Sequence, residues 1–275
     1  MVGSDVRRIP PLAEPNSLVG RRERRPGRRQ QHHVLPPQRR DGSGLGADAY
    51  GEFGDGTHTN APVFVRWTTN EVSATGGRTA ISGVATIRAG VNIGYAVKAD
   101  GTTWTWGRNS TGQLGDGTHA DRYTSVQVSG LTNVRAIAGG SRLSYAVDTD
   151  GHLWRWGGAD PVPQRFDSAC AVGTSVVANS TGAWERCDDG AVWQLDHQGA
   201  TTSGQVSYPR QVPSLAHITA IASAPGTSGS GAGVQGPEGK VWRYDRPTGS
   251  FTPVYGLTGV TAIGSVGQIG YAAAS

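Results

Sequence analysis

The sequence is short of the residues that build helices and membrane spans. Its 275 residues include one Met, two Cys and four Phe, and charged residues make up only 17 %, against about 25 % in an average protein. The 42 glycines are about twice the usual share, which excludes a coiled coil or a helical bundle. No run of 18 apolar residues occurs, so neither a membrane-spanning helix nor a membrane partner is expected. We therefore expect an all-β chain with many turns.

The positive net charge of the chain comes from its first 40 residues. Residues 1–40 hold ten Arg and three acidic residues, a net charge of +7, and the other 15 basic and 18 acidic residues give residues 41–275 a charge of −3. An Arg-rich segment binds nucleic acid through phosphate contacts, but this one has no aromatic residue to stack on a base. It also lacks a helix or strand period. We expect residues 1–40 to be a disordered tail, with nucleic acid as a partner of this tail alone.

A repeat runs through the rest of the chain. Four intervals between Ile87 and Ile263 average (263 − 87)/4 = 44 residues. A unit this short cannot cover its own apolar face, so units stacked around an axis are expected, as in a β-propeller. A linear β-helix is less favoured because its rungs are usually shorter. We predict about five four-stranded blades over residues 41–275, in a ring that need not be complete. The repeated segments are Gly94-Tyr-Ala-Val97 to Trp104-Thr-Trp-Gly107, Ser144-Tyr-Ala-Val147 to Trp154-Arg-Trp-Gly157, and weaker copies around Asp189-Gly190 and Glu238-Gly239.

Each Asp-Gly or Glu-Gly pair is expected to form a two-residue hairpin turn. With that turn Val97 lies opposite Trp104 and Tyr95 opposite Trp106, and strand alternation places all four side chains on one face. We expect the Trp of each repeat, Trp104 included, to be buried between blades. Arg186 stands in the third copy where Val97 stands in the first, so the third blade is expected to be the least stable.

The longest repeated run has a recognisable signature. It is Trp104-Thr-Trp-Gly-Arg-Asn-Ser-Thr-Gly-Gln-Leu-Gly-Asp-Gly-Thr118, and Tyr50-Gly-Glu-Phe-Gly-Asp-Gly-Thr57 repeats its loop. It resembles the signature of the regulator of chromosome condensation repeat family, here of bacterial type. The resemblance implies a propeller of four-stranded blades. In animals such proteins act as guanine-nucleotide exchange factors on a nuclear small GTPase and contact chromatin, whereas similar bacterial repeats are mostly binding modules.

The sequence departs from that family in two ways. Family propellers usually have seven blades, whereas residues 41–275 supply about five. No insertion between the repeats is long enough to form the wedge that releases nucleotide from a GTPase. The resemblance therefore implies no exchange residue in this chain.

Nothing in the sequence indicates catalysis. The two Gly-Asp-Gly-Thr-His loops place Asp55 with His58 and Asp116 with His119, but two ligands in each loop are too few for a closed metal site. A tight turn is the favoured interpretation. Neither the nucleophile elbow of hydrolases nor a zinc-protease motif occurs. We expect no enzyme activity, no cofactor and no metal.

The loops are the expected site of function. Residues that follow each Trp-x-Trp-Gly lie at strand ends, where propellers present variable contacts. The first hypothesis is a non-enzymatic scaffold that binds a protein partner through its loops, with His119, Asp121 and Arg122 as the binding residues. The alternative is guanine-nucleotide exchange on a small GTPase, which depends on family analogy alone.

The only cysteines are Cys170 and Cys187. They are either two separate buried thiols or one disulfide, which an oxidising compartment permits. With a two-residue turn Cys187 lies opposite Val192 and off the Trp face, so it is not an obvious core residue. A secreted or cell-envelope location is favoured over a cytoplasmic one.

The chain ends interrupt the repeat. Gly270 to Ser275 align with the start of the hairpin, whereas Asp41-Gly42 begin at its turn and lead into Gly44-Leu45-Gly46, where Trp-x-Trp-Gly is expected. In one interpretation the C-terminal strand pairs with residues 42–46 and closes the ring. In the other the ring is incomplete and residues 1–40 replace lost propeller sequence. The tail without a strand pattern favours the second, with a closing blade that is weak or absent.

Overall fold

The structure is a computed structural model, and all its described residues lie in the second of two compact units, residues 39–275. The predictions for residues 1–40 and for Asp41-Gly42 fall outside the described residues. No helix in the part of the chain described is long and apolar enough to cross a membrane. The structure describes residues 43–46, 49–52, 54–59, 61–66, 68–72, 78–158, 160–167, 170–180, 182–197, 209–213, 215–223, 232–245, 250–257, 259–266 and 269–274.

The described residues form three sheets of four antiparallel strands and one of six, in which four antiparallel strands make up a further blade. The predicted four-stranded blades are confirmed, but four complete blades are described where about five were expected. The single helical element in the described ranges is a 3-10 turn at Pro237–Gly239. The first blade consists of β5 (Val84–Ala89), β6 (Ile93–Lys98), β7 (Thr103–Gly107) and β8 (Arg122–Gln127). The second consists of β9 (Val134–Gly139), β10 (Leu143–Asp148), β11 (Leu153–Gly157) and β12 (Asp160–Arg165). The third consists of β13 (Gly173–Ala178), β14 (Gly182–Cys187), β15 (Val192–His197) and β16 (Arg210–Gln211). The fourth consists of β17 (Ala220–Ser223), β18 (Ala232–Gln235), β19 (Val241–Asp245) and β20 (Ser250–Pro253).

The remaining strands lie at the two ends of the unit. They are β1 (Ser43–Gly46), β2 (Ala61–Arg66), β3 (Thr68–Val72), β4 (Arg78–Ala80), β21 (Val260–Val266) and β22 (Ile269–Ala274). Strands β3 and β4 extend the sheet of the first blade through a parallel contact between β3 and β8. Strand β22 pairs with β21 and β1 pairs with β2. Among the described residues the C-terminal strand therefore does not join β1, and the ring is not closed.

The hairpin register differs by one residue from the predicted one. Val97 lies opposite Thr103, and Trp104 lies opposite Ala96. The turn contains three residues, because the N–H of Lys98 donates to the carbonyl of Thr102 and the N–H of Gly101 donates to that of Lys98. Such a loop ends in a left-handed residue, and Gly101 has φ +82°. The prediction of a two-residue turn was wrong.

The second, third and fourth hairpins repeat this register. Tyr145 lies opposite Arg155, Arg186 lies opposite Val192, and Gln235 lies opposite Val241. Val192 is therefore not the partner of Cys187, and Trp242 is not the partner of Gln235. In each hairpin one residue before the Asp-Gly or Glu-Gly pair belongs to the turn, and this extra residue moves every cross-strand pair by one position.

The corrected register explains how both faces of a blade are covered. Tyr95 and Val97 lie on one face of the first blade and Trp106 on the other, since residues paired across the strands share a face. Tyr95 and Val97 pack against Ile137 and Trp156 of the second blade. Had Tyr and Trp shared a face, as predicted from a two-residue turn, the opposite face would have no large apolar side chain to bury.

The apolar cores lie between successive blades. Tyr145 and Val147 of the second blade pack with Val176 and Leu195 of the third, and Trp184 of the third packs with residues of the fourth. Trp106 and Trp156, the second Trp of their repeats, are 1 % and 0 % exposed. Trp104 and Trp154, the first Trp of each pair, are only half-buried, so the predicted full burial holds for one Trp of each pair.

A candidate binding surface on the loops

Each intact Gly-Asp-Gly-Thr loop is fastened to the following blade by a Trp. The indole N–H of Trp106 donates to the carbonyl of Glu52 over 2.6 Å, and that of Trp156 donates to the carbonyl of Gln113 over 2.9 Å. The N–H of Gly117 also donates to the carbonyl of Pro161 in β12. The loop that leaves one blade therefore forms part of the packing of the next blade.

Glycine makes the close approach of loop and ring possible. A Cβ built on Gly115 would lie 2.8 Å from Nε1 of Trp156, and one built on Gly54 would lie 3.0 Å from the ring of Trp106. Both glycines have a positive φ, +72° and +61°, which side chains rarely adopt. The glycines of the loop motif and the second Trp of the next repeat thus form a single packing contact.

Asn109 organises the interior of the longest loop, residues 108–121. It is fully buried, and its Oδ1 accepts the N–H of Leu114 over 2.9 Å. Its Nδ2 donates to the carbonyl of Thr118 over 3.0 Å, and its backbone N–H donates to the Asp121 carboxylate. A buried amide with its donors and acceptor used in this way rigidifies a loop.

Asp116 and Arg122 close the loop at its base. Oδ2 of Asp116 accepts the Arg122 Nε–H over 2.7 Å and contacts the terminal nitrogen Nη2 over 2.6 Å, and Oδ1 accepts the N–H and hydroxyl of Thr118. Burial by itself raises the pKa of Asp116, but the hydrogen bonds from Thr118 and Arg122 outweigh it and hold the pKa below its ordinary value. The aspartate is therefore ionised at neutral pH, and its two oxygens are used in bonds to Thr118 and Arg122.

The three predicted binding residues lie together on this loop but have different surroundings. His119 is exposed, whereas Asp121 and Arg122 are half-buried. Asp121 accepts the N–H of Asn109 and Arg122 is paired with Asp116. In this arrangement Asp121 and Arg122 hold the loop in shape, and His119 is the side chain presented to solvent.

Two further groups on the surface were missed by the sequence reasoning. The rings of His58 and Tyr123 lie with their centroids 5.4 Å apart, and Tyr123 is 40 % exposed. The guanidinium of Arg108 lies 5.2 Å from the ring centre of Tyr50. The two pairs join side chains more than 55 positions apart in sequence, so only the repeat alignment of the two loops could have indicated them.

A small acidic cluster lies at the turn of the second hairpin. The donor atoms of Asp148, Asp150 and His152 lie within 4.8 Å of one another, and Asp148 Oδ2 accepts the indole N–H of Trp154 over 2.9 Å. Burial raises the pKa of Asp148, but the bonds from Trp154 and His152 hold it below its ordinary value. The spacing Asp-x-Asp-x-His is visible in the sequence. Most of this hydrogen bonding ties the turn to its own strand.

Cys170 and Cys187 form a disulfide, one of the two arrangements left open by the sequence. Cys187 is 3 % exposed, so it lies in the core, which the predicted register did not indicate. The three-residue turn is the reason: the N–H of Cys187 donates to the carbonyl of Ala191, and Cys187 ends strand β14. The bridge ties the third blade to the segment that follows the second.

Comparison with known proteins agrees with this architecture. Residues 100–147 match the model of the regulator of chromosome condensation (RCC1) repeat. No curated protein matches the chain. Human WBSCR16 has a similar structure, with a TM-score of 0.66 and 16 % identity over 86 % of this chain and 68 % of that chain.

Two yeast structures are similar at the same level. Prp20p from Saccharomyces cerevisiae, described with its binding to Gsp1p and histones, has a TM-score of 0.63 and 13 % identity over 81 % of this chain. Yeast RCC1 (Prp20) bound to Kap60 has a TM-score of 0.63 and 14 % identity over 90 % of this chain. The chain spans 61 % and 67 % of the length of these two proteins. Residues 100–147 are thus an RCC1 repeat, and the chain has the β-propeller fold of the proteins that such repeats build.

Proposed function

We propose that this chain is a non-enzymatic scaffold that binds a protein partner through its loop surface, the exposed side chains of residues 50–59 and 108–123. The observation that carries the proposal is the contrast within these loops. Asn109, Asp116 and Arg122 are used in internal hydrogen bonds of the longest loop, whereas His119, His58 and Tyr123 lie at the surface. A loop that keeps its shape in this way loses little conformational freedom when a partner binds.

The chemistry of the exposed side chains fits a protein interface. Tyr and Arg are enriched at binding hot spots, and here exposed Tyr123 lies tilted beside His58, while half-buried Arg108 lies over half-buried Tyr50. The yeast structures lend support, since Prp20p is described with its binding to Gsp1p and histones and is also found bound to Kap60. A protein partner is therefore proposed for this chain as well.

The test compares capture of partners by matched surface variants. Wild-type protein and the variants His119→Glu, Tyr123→Ala and Tyr255→Ala are immobilised and exposed to extract from the source cell. Tyr255 is 88 % exposed on the fourth blade, so Tyr255→Ala is the control for loss of an exposed Tyr. A protein retained by wild type and Tyr255→Ala but lost by the two loop variants supports the proposal. Equal retention by all three variants contradicts it.

Guanine-nucleotide exchange on a small GTPase is the alternative, supported by the likeness to the fold of Prp20p. A nucleotide-release assay with a panel of GTPases separates the two. Release accelerated by substoichiometric protein supports exchange and contradicts the scaffold proposal. Binding of a GTPase without accelerated release supports the scaffold proposal and contradicts exchange.

We also propose an oxidising location, secreted or in the cell envelope. The disulfide between Cys170 and Cys187 supports it, because such bonds persist mainly outside the reducing cytosol. Alkylation and mass spectrometry of protein taken from its native compartment provide the test, and two free thiols would reject the proposal.

A further inference from the structure

A cavity of about 560 Å³ lies where the inner strands of the four blades approach one another. It is lined by residues of β5, β9, β13 and β17, one strand from each blade, and by Val97 of β6. This volume falls in the range of small-molecule binding sites. The cavity is separate from the loop surface, which belongs to the connections between β7 and β8 and before β2.

The lining of the cavity has charge of one sign. Arg88 and Arg135 both line it, and none of the described lining residues is an Asp or a Glu. Half-buried Ser175 also lines the cavity, whereas the hydroxyl of Thr174 is used in a hydrogen bond to the carbonyl of Arg186 over 2.8 Å. Guanidinium and hydroxyl groups together are donors for carboxylate and phosphate oxygens.

The two arginines are displaced from each other along the strands. Ile87 and Ile137 are equivalent in the repeat, so Arg88 is equivalent to Ala138, three positions beyond Arg135. At roughly 3.3 Å per residue this is an offset of about 10 Å between the two Cα positions. The guanidinium of Arg135 lies further along, at the carbonyl of Thr149, whose N–H donates to the carbonyl of Asn133. Between these levels the wall is apolar, with half-buried Ala136 and Val177 among its residues.

Both guanidinium groups retain donors for a ligand. Arg88 donates from one terminal nitrogen to the carbonyl of Ile87 over 2.9 Å, and Arg135 donates from one to the carbonyl of Thr149 over 3.1 Å. A guanidinium has five N–H donors. These backbone contacts fix the position of each group and leave most of its donors unused by them.

We propose that the cavity binds a small organic dianion with an apolar middle and an anionic group at each end. One anionic group pairs with Arg88 and the other with Arg135, and the apolar middle lies against Ala136 and Val177. The shared chemistry of the end groups is an oxyanion, either carboxylate or phosphate. The two sources are distinguished by the probes below.

The experiment measures binding of α,ω-dicarboxylates of increasing length by calorimetry at low salt. Succinate, adipate and suberate are the probes, octanoate is the single-charge control, and hexane-1,6-diyl bisphosphate tests the phosphate source. Suberate is expected to bind most tightly of the acids, because its extended chain is the longest and comes nearest to spanning both guanidinium groups. Binding should weaken as salt is added, since both arginines are exposed.

Variants of the two arginines complete the test. Arg88→Gln and Arg135→Gln should each weaken binding of the best probe by about tenfold or more, with unchanged circular dichroism. Arg243→Gln, at an exposed position on β19 outside the cavity, is the matched control and should bind like wild type. The proposal is overturned if suberate and the bisphosphate bind no more tightly than octanoate, or if all three variants bind alike. A site that accepts only acidic peptides would also overturn it.

Discussion

The indole N–H of Trp156 donates to the carbonyl of Gln113, 43 residues earlier in the chain, over 2.9 Å. Trp106 makes the same contact with Glu52, so this hydrogen bond from indole to loop carbonyl recurs in two successive repeats. The ring seals a loop of the preceding repeat and at the same time packs against Tyr95 of that repeat's blade. One side chain therefore couples the stability of the fold to the shape of the loop surface.

The first prediction concerns this Trp. Trp156→Ala should lower the free energy of unfolding by about 3–5 kcal/mol, because the ring is fully buried. Trp154→Ala, two residues earlier on the same strand, should lower it less because its ring is half-buried. Urea unfolding followed by circular dichroism measures both. Equal losses would contradict the assignment of the second Trp as the main packing residue.

The sequence predicted the repeat, the four-stranded blades and the scarcity of helix, because Trp-x-Trp-Gly and the Asp-Gly turns recur at regular spacing. It did not predict the register. Asp100-Gly101 is typical of a two-residue turn, but the hydrogen bond from Lys98 to Thr102 adds Ala99 to the loop. A single residue in a turn is a small signal, yet it decides which face every side chain occupies.

The coupling of loop and Trp was visible in the sequence but was not recognised there. Trp106 and Trp156 each come one repeat after a Gly-Asp-Gly-Thr loop. The second blade lacks such a loop, since β12 begins at Asp160 soon after Gly157, and the equivalent position in the third blade is Leu195. That Arg88 and Arg135 line one cavity could not be predicted, because they occupy different positions in the repeat.

The second prediction tests the close approach of loop and ring. Gly115→Ala should lower the free energy of unfolding by about 1–3 kcal/mol more than Gly130→Ala, because its Cβ would lie 2.8 Å from Trp156. Gly130 has a similar φ, +67° against +72°, and its Cβ would meet nothing within 4 Å. The control therefore has the same backbone strain without the clash. Equal losses of stability in thermal unfolding would mean that the positive φ of Gly115, and not the contact with Trp156, is what requires glycine at this position.

The third prediction concerns pH. The pKa of Asp116 is held below its ordinary value of 3.8, so its ionised form stabilises the fold well above that pH, and this stabilisation is lost as pH falls through the lowered pKa. Asp116→Asn should cost about 1–3 kcal/mol at neutral pH and flatten the acid limb of a stability profile. Asp160→Asn, at an exposed position, is the control. An unchanged acid limb in Asp116→Asn would show that the pair with Arg122 adds nothing to stability.

The fourth prediction concerns the disulfide. Cys170 and Cys187 are 17 positions apart, and opening a loop of this length should cost roughly 3 kcal/mol in the chain-entropy account. Unfolding in urea with and without a reductant measures the difference. The double variant Cys170→Ser with Cys187→Ser should match the reduced protein and be insensitive to the reductant, which separates the effect of the bond from that of the reducing agent.

The last prediction places the weakest blade. The third blade has Glu185 and Arg186 where the first has Ala96 and Val97, and Glu185 is fully buried. Burying an ionisable group costs free energy unless it is fully compensated, and burial also lowers the pKa of Arg186. The disulfide at the end of β14 opposes this weakness by holding the strand in place.

Hydrogen exchange should therefore depend on the redox state. With the disulfide intact, the amides of the third blade should exchange faster than those of the first, and reduction should accelerate the third blade while leaving the first nearly unchanged. Local opening of this kind is what exchange reports when one cooperative unit is less stable than its neighbours. If the third blade were the most protected in the reduced protein, Glu185 and Arg186 would not be a source of instability. The third blade would then draw its stability from the packing of Trp184 against Tyr244 and Phe251, whose ring centroids lie 4.9 and 6.3 Å away.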